Sequence, residues 1–357
     1  MKQQSELDQE VKIRSVILGH SISNTRFCVY LTGTIKSQLE YRLPIRWNLL
    51  RDSKADKLAY FGSYFAASIF RHTLPFPYAG LNSTNHGVTI GARFSPKPWL
   101  SQFVQWEGSW REVSPLEKSG FAARSFSGHS LKSSLTHEIT INTLDDQALA
   151  SKGLYMLLSQ ELAGLGPGNV GFFKTIAKAE YFKPIRDFSF GVTCAAGIAS
   201  KIDINDELPS NLNGNSLIHP VDRYWLGGPL ELRGFNWKKL GAKEDGNYLG
   251  GTAFWRSAVH VLTKLPYIRG DHWISKNVRS HGFLEIGGLG NLTSGGAINR
   301  LIGDFSSIPY RLTAGLGLVV RLGSHGRAEL NYCFPIKYGP QDSLMNGLQF
   351  GIGVNFS

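Results

Sequence analysis

The sequence predicts an all-β protein, a transmembrane antiparallel β-barrel of about 16 strands. Two observations lead to this prediction: apolar and polar residues alternate over long segments, and the 357 residues include 40 Gly and 12% aromatic residues. High glycine and aromatic content is typical of many strands joined by turns. A mean hydropathy of −0.14, with no apolar run of about 18 residues, excludes a membrane-spanning helix but not barrel strands, whose alternation averages to a neutral hydropathy.

The clearest alternation lies in three successive segments at the C-terminal end of the sequence. Each segment has one apolar face and one face of polar or small residues, and its length suits a tilted strand that crosses a bilayer. The three apolar faces are Leu312, Ala314, Leu316, Leu318, Val320 and Leu322; Ala328, Leu330, Tyr332 and Phe334; and Leu348, Phe350, Ile352, Val354 and Phe356.

The same pattern continues upstream, with turn residues between the segments. Strands are predicted at 11–18, 24–34, 36–44, 58–72, 86–95, 101–112, 121–126, 131–142, 153–163, 170–183, 187–198, 249–263 and 283–291. A soluble β-sandwich would also alternate, but its strands average about five or six residues. Many segments here are longer, and aromatic residues such as Trp99, Trp255 and Tyr310 lie near strand ends, so the pattern favours the membrane barrel.

A long irregular stretch, about 199–247, separates predicted strands 11 and 12. It contains "RYWLGGPLELRGFNW", which is too aromatic for a disordered segment, and loops of this length are usually functional or disordered. We therefore predict that this loop folds back into the lumen and packs there. Residues 1–10 are predicted to be a short polar tail and residues 11–357 the barrel.

Signals for catalysis, metal binding or a cofactor are weak, and the protein is predicted not to be an enzyme and to use no cofactor or metal. The sequence "GPGNVG" matches a nucleotide-binding glycine pattern, but a strand follows it, so we interpret it as a hairpin turn. His137 and His260 lie inside strand patterns and are interpreted as structural residues. A protease or acyltransferase barrel would need a Ser/His/Asp set, which sequence alone does not reveal. The three cysteines are too far apart for a zinc spacing.

The net charge of +11 is dispersed along the chain. Dispersed Lys and Arg residues, with no basic run or nucleic-acid motif, favour a basic surface that faces anionic lipid or a basic lumen. No nucleic-acid partner is predicted.

Several motifs resemble the central barrel subunit of the mitochondrial sorting and assembly machinery (the SAM complex), within the superfamily that includes bacterial BamA. The matching stretches are "SWREV", "SGHSLKSSLTHEITI", "QELAG", "DRYWLGGPLELRGF", "YLGGTAFW", "LNYCF" and "LQFGIGVNF", and the resemblance covers roughly 24–357 in order. It implies a soluble POTRA module before the barrel, but about 20 residues precede the first clear strand, so the sequence is expected to lack that module.

The resemblance also implies a role for the Arg-Gly-Phe motif of the long loop, here Arg233, Gly234 and Phe235. In that superfamily the arginine pairs with an acidic residue on a nearby strand, and the matching position is Glu285 in "HGFLEIGGLGN". A planar guanidinium can bind a carboxylate through two parallel hydrogen bonds. The alternative is a solvated loop arginine.

The last strand resembles the C-terminal signal of mitochondrial barrel precursors, a polar residue and a glycine followed by two hydrophobic residues. Gln349, Gly351, Val354 and Phe356 fill this pattern. A terminal strand with an open edge can pair with another sheet edge through main-chain hydrogen bonds. The alternative is that the pattern is simply that of a final lipid-facing strand.

The resemblance implies that the protein inserts barrel precursors into the mitochondrial outer membrane, through strand pairing at a seam between its first and last strands. The expected partners are barrel precursors, other SAM subunits and the lipid bilayer. The polar N-terminus is unlike a secretory signal, which agrees with a mitochondrial location. Two alternatives stay open: a translocation or diffusion pore, and a structural subunit that contacts inner-membrane cristae-organising proteins.

Overall fold

A computed structural model describes most of the chain. The described ranges are 21–22, 25–26, 29–31, 37–43, 62–202, 218–265, 273–292, 307–323 and 326–354. The predicted tail at 1–10 and the predicted first strand at 11–18 lie outside them. Within these ranges, no helix has the length and apolar character needed to cross a membrane.

The described residues are mainly β-strands, and the strands from β5 to β11 and from β14 to β17 are 11 to 17 residues long. The strands are β1 (Ser21–Ile22), β2 (Thr25–Arg26), β3 (Val29–Leu31), β4 (Ser37–Leu43), β5 (Gly62–Phe76), β6 (Leu81–Lys97), β7 (Leu100–Pro115), β8 (Gly128–Asn142), β9 (Gly153–Ala163), β10 (Phe172–Ile185), β11 (Phe188–Lys201), β12 (Lys243–Glu244), β13 (Asn247–Tyr248), β14 (Ala253–Lys264), β15 (Val278–Gly290), β16 (Tyr310–Leu322), β17 (Gly326–Lys337) and β18 (Gly347–Val354). The helices are α1 (Phe121–Arg124) and α2 (Trp273–Asn277), with a 3-10 turn at Pro220–Asp222.

One large sheet contains almost all of these strands. Its order is β3-β18-β17-β16-β15-β14-β11-β10-β9-β8-β7-β6-β5-β4. Neighbours from β4 to β18 pair antiparallel, as hairpin connections require, whereas three residues of β3 pair in parallel with β18. The all-β prediction is confirmed, with 14 strands in this sheet among the described residues against about 16 expected.

The period-2 alternation of the sequence separates the two faces of the sheet. On the outer face, large apolar side chains are exposed, for example Ile69 at 70%, Leu284 at 49% and Leu316 at 68%. On the inner face, polar side chains such as Glu285 and Glu329 are buried. Successive side chains of a strand point to opposite faces, so the apolar faces predicted for the C-terminal segments form the outer surface.

The strand predicted at 121–126 is wrong, because Phe121–Arg124 forms the short helix α1. The segment "FAAR" contains two Ala and one Arg, which are among the strongest helix formers. The hydroxyls of Ser125 and Ser127 donate to the carbonyls of Ala122 and Arg124, and these local bonds close the turn.

The connection between β11 and β14 runs from 202 to 252, and residues 203–217 lie outside the described part. Strand β11 continues beyond the predicted loop start at 199, because Ala199 and Lys201 pair with Lys174 and Phe172 of β10. We refer to residues 218–252 as the inner loop. It carries the 3-10 turn and the β12–β13 hairpin, and it packs against the inner face of the sheet.

Candidate functional site

Arg233 of the inner loop lies between two carboxylates. Its backbone N–H donates to Glu285 Oε2 over 2.7 Å, and its Nη1 donates to Glu285 Oε1. Its Nε and Nη2 donate to Glu329 Oε2 over 3.0 and 2.6 Å. We call these three residues the clamp; each is no more than 2% exposed.

The clamp joins two strands that are not neighbours. Glu285 belongs to β15 and Glu329 to β17, with β16 between them, so the guanidinium bridges a gap of about two strand spacings. The guanidinium also lies over the ring of Phe283, 5.0 Å from its centroid, a cation–π contact. The family resemblance implies that Glu285 pairs with Arg233, and the structure brings the two together. Glu329 was not predicted from the sequence, although the alternation in "RAELNYCF" puts this acid on the inner face.

Charges in and around the clamp balance. Arg327 Nε donates to Glu329 Oε1 over 3.0 Å, so two arginines face two buried carboxylates. Burial alone lowers the pKa of Arg233, but the adjacent Glu285 and Glu329 outweigh burial and the pKa is raised. A buried ion pair fixes orientation more than it adds stability, and removing one partner is strongly destabilising.

Gly234 and Phe235 extend the contact between the inner loop and the sheet. Gly234 has φ +83°, and a Cβ built on it would lie 2.8 Å from Thr313 Oγ1 and 3.1 Å from Pro335 Cγ. Only glycine adopts this left-handed conformation without strain and also permits the approach to the wall. Phe235 is fully buried in the same apolar cluster as Leu226.

The last strand receives the inner loop on its inward face. Gln349 Oε1 accepts from the N–H of Gly234 over 2.9 Å, and Gln349 Nε2 donates to the carbonyl of Phe235 over 2.9 Å. Cβ atoms built on Gly351 and Gly353 would lie 2.6 Å from Pro229 Cβ and 2.9 Å from Leu230 Cδ1. Gln349 and Gly351 of the C-terminal pattern, together with Gly353, therefore contact the chain's own loop.

Of the other residues predicted for the C-terminal signal, Val354 is the last residue of β18 and pairs with Gly326 of β17. Phe356 lies outside the described residues. Their proposed role at a seam stays a prediction.

Replacing Gly351 with alanine is expected to weaken loop docking by about 2 kcal/mol, because the new methyl group overlaps the rigid Pro229 ring. Gly353→Ala is the matched control, since its methyl group meets only the movable end of Leu230. The free energies of unfolding of both variants, measured by urea titration in detergent micelles, test this ordering. Equal losses in the two variants would contradict the contact with Pro229.

Comparison with known proteins identifies the family. A model of the Omp85 superfamily domain matches residues 38–356. The chain belongs to the Omp85 superfamily. The sorting and assembly machinery component 50 homologues of Mus musculus and Homo sapiens are each 36% identical over 295 residues, which cover 82% of this chain and 60% of each relative. This Omp85 chain thus spans about three fifths of the length of the curated relatives it matches.

The fold of this Omp85 protein is similar to a solved structure, BamA from Haemophilus ducreyi lacking POTRA domains 1–3. The TM-score is 0.67 at 16% sequence identity, and the match covers 88% of this chain and 61% of that one. With the Omp85 domain match, this confirms the predicted membrane-barrel fold class. The resemblance to the central SAM barrel subunit is confirmed by the curated relatives.

The inner loop of this Omp85 barrel has a second buried anchor far from the clamp. Arg111 Nη1 of β7 donates to both carboxylate oxygens of Asp222, over 2.9 and 2.8 Å. Lys174 Nζ of β10 donates to the carbonyl of Asp222 over 3.0 Å. Burial alone raises the pKa of Asp222, but the Arg111 pair outweighs it and the pKa is lowered. Sequence reasoning missed this anchor, because Arg111 and Asp222 are 111 residues apart and belong to no shared motif.

Asp222→Asn is expected to lower the free energy of unfolding by about 3 kcal/mol, because it leaves the buried Arg111 without a carboxylate. A lowered folded-state pKa contributes stability above the unfolded pKa of about 3.9, and this contribution is lost as the pH falls further. The difference between wild type and variant should therefore shrink below about pH 4. Asp187→Asn, in the exposed β10–β11 turn, is the control. A difference that is absent at pH 7, or that does not change on acidification, would contradict the anchor.

Proposed function

We propose that this Omp85 protein inserts and assembles β-barrel precursors in the mitochondrial outer membrane, at a seam between its first and last strands. Among the described residues, β3 pairs with only Phe350, Gly351 and Ile352 of β18, and the proposal assigns the rest of that strand's edge to the precursor. The proposal rests on the contacts of the inner loop. The loop extends along the inner face from Arg111 of β7 to Gln349, and it hydrogen-bonds directly to β18. The similarity to sorting and assembly machinery component 50 homologues supports both the role and the location.

Strand pairing supplies the mechanism. An edge strand offers unpaired N–H and C=O groups, and in hydrocarbon each such group must be satisfied by another strand. A precursor whose terminal strand pairs with this edge keeps its backbone N–H and C=O groups hydrogen-bonded while further hairpins are added. The step forms only hydrogen bonds, so no covalent chemistry is needed.

The inner loop stabilises the wall beside this edge. It bonds to Glu285 of β15, Glu329 of β17 and Gln349 of β18, so the last strands share one buried partner. Because the loop also packs apolar residues, among them Leu226, Leu232 and Leu240, against the inner face, the arrangement is less suited to a wide diffusion pore. The proposed partners are barrel precursors, other subunits of the sorting and assembly complex and the lipid bilayer.

Depletion of the protein tests the proposal, with newly imported barrel precursors followed by native gel electrophoresis. We expect precursors to accumulate unassembled, and wild-type protein, but not Arg233→Met, to restore assembly. A cysteine at Val354 should trap a precursor carrying a cysteine in its terminal strand, whereas one at Arg186, in the β10–β11 turn, should not. Normal assembly after depletion, with no second copy present, would contradict the proposal. A pore would instead give high single-channel conductance with unchanged assembly.

A further inference from the structure

A row of buried polar side chains leads from β11 to the clamp. Thr193 Oγ1 lies 3.1 Å from His260 Nε2, and His260 Nδ1 lies 3.0 Å from His281 Nε2. His281 Nδ1 lies 3.1 Å from Asn331 Oδ1, and Asn331 Nδ2 donates to Glu329 Oε2 over 3.0 Å. We call these five residues the polar chain.

The direction of every hydrogen bond in the polar chain follows from its last member. The Glu329 carboxylate is held by two arginines and only accepts, so the amide nitrogen of Asn331 faces it and Asn331 Oδ1 accepts from His281 Nδ1–H. In a neutral His281, Nε2 is then an acceptor. It receives Nδ1–H of His260, whose own Nε2 accepts from the hydroxyl of Thr193.

With both rings neutral, each histidine therefore carries its proton on Nδ1. The hydrogen bond on one ring nitrogen decides which tautomer is present, so each member fixes the next. The near-coplanar rings of His260 and His281, 21° apart, suit an in-plane bond between their nitrogens. Of the polar chain, only Thr193 is more than 9% exposed.

A glycine lets the polar chain cross a strand. His281 is on β15 and Asn331 on β17, with Gly317 of β16 between them in register. A Cβ built on Gly317 would meet the backbone oxygen of Leu330 and would lie 2.3 Å from Asn331 Oδ1, so a side chain there would displace both the neighbouring strand and the acceptor. Gly317, the second glycine of "AGLGL", is therefore required by the close approach of β17 and by the hydrogen bond between His281 and Asn331.

We propose that His260, His281 and Asn331 are positioning residues for the clamp. Their hydrogen bonds, all donated in the same direction, hold the Glu329 carboxylate in the orientation in which it accepts from Arg233. This keeps the inner loop docked against the last strands. The inference rests on the proposed function for its biological meaning, but its test involves no precursor, so the two can fail separately.

Tautomers give the first test. The full-length protein in detergent micelles, labelled with ¹⁵N in histidine, should show two neutral rings with the proton on Nδ1. Their signals are assigned by their loss in His260→Gln and His281→Gln. Protons on Nε2, or charged rings at pH 7, would overturn the assigned direction and with it the proposal.

The native thiol of Cys333 gives the second test, because it is fully buried on β17 beneath Gly234. In a Cys28→Ser, Cys194→Ser background, maleimide labelling of Cys333 reports the fraction of time that the loop is undocked. His281→Phe keeps a ring of similar shape but removes both hydrogen bonds, and we expect labelling on the order of ten times faster. His281→Gln can still accept from His260 and donate to Asn331, so it should label near the wild-type rate.

Two controls complete the design. His86→Phe makes the same substitution on the outer face of β6, where Val88 and Ile90 are exposed, and should leave labelling unchanged. Gly317→Ala should raise labelling at least as much as His281→Phe, because its methyl group meets the backbone of Leu330 as well as Asn331 Oδ1. Wild-type labelling in His281→Phe, or equally fast labelling in His281→Gln, would overturn the proposal, since packing alone would then explain the rings.

Discussion

Replacing Arg233 with methionine is expected to undock the inner loop and to abolish precursor assembly. The substitution keeps an apolar stem of similar length but leaves Glu285 buried without a cation, whereas Glu329 retains Arg327. Removing one partner of a buried ion pair costs about 3–5 kcal/mol. The free energy of unfolding and the yield of assembled precursor measure the two effects.

A compensating substitution separates charge from geometry. In Arg233→Met with Glu285→Gln, the uncompensated charge is gone, so most of the unfolding free energy should return. The guanidinium bridge between β15 and β17 is still absent, so assembly should stay defective. If the double variant also restored assembly, the bridge itself would have no role.

The structure changes what a charge reversal should do. If Arg233 paired with Glu285 alone, as the family resemblance implies, Arg233→Glu combined with Glu285→Arg would recover some of the function lost in the single variants. Because Glu329 also contacts Arg233, the reversed pair would place a new carboxylate against Glu329. Recovery should therefore be small, and recovery to wild-type assembly would show that Glu329 does not belong to the clamp.

Gly234→Val is expected to have the second largest effect. A β-branched residue at φ +83° costs about 1–2 kcal/mol in backbone strain alone. Its side chain would also overlap Thr313 and Pro335, which lie 2.8 and 3.1 Å from a Cβ at this position. The loop cannot then reach Gln349, and both unfolding free energy and precursor assembly should fall.

Gly246→Val is the matched control for this variant. Gly246 has φ +87°, but nothing lies within 4 Å of a Cβ built on it. It therefore carries the same backbone strain without the overlap, and assembly should remain close to wild type. Equal assembly defects in the two variants would show that backbone strain causes the defect, rather than the overlap of the valine side chain with Thr313 and Pro335.

The strands and the faces of the sheet could be predicted from the sequence because they depend on a local period of two. Predicted strand 153–163 coincides with β9, and the inward positions of β16 to β18 are those of the polar faces. The failure at 121–126 has a local cause as well, since alternation over so short a segment does not exclude a turn of helix.

The site was only partly predictable, because its geometry comes from contacts between distant strands. The pairing of Arg233 with Glu285 was implied by the family resemblance, but the contacts of Glu329, Asp222 and the histidines follow from strand register and from where the loop lies. Gln349 and Gly351 were predicted as a strand signal, and the structure adds that they hold the loop. The sequence does not show that residues of the strand signal also bind the loop, because that contact depends on tertiary packing.

The central claim is that Arg233 keeps the inner loop docked against β15, β17 and β18, and labelling of Cys333 in lipid nanodiscs tests it most directly. With Cys28 and Cys194 replaced by serine, Cys333 should be protected in the wild type. In Arg233→Met it should react on the order of 100 times faster, since about 3 kcal/mol corresponds to a factor of that size. Rapid labelling in the wild type, or protection that survives the loss of Arg233, would contradict the account.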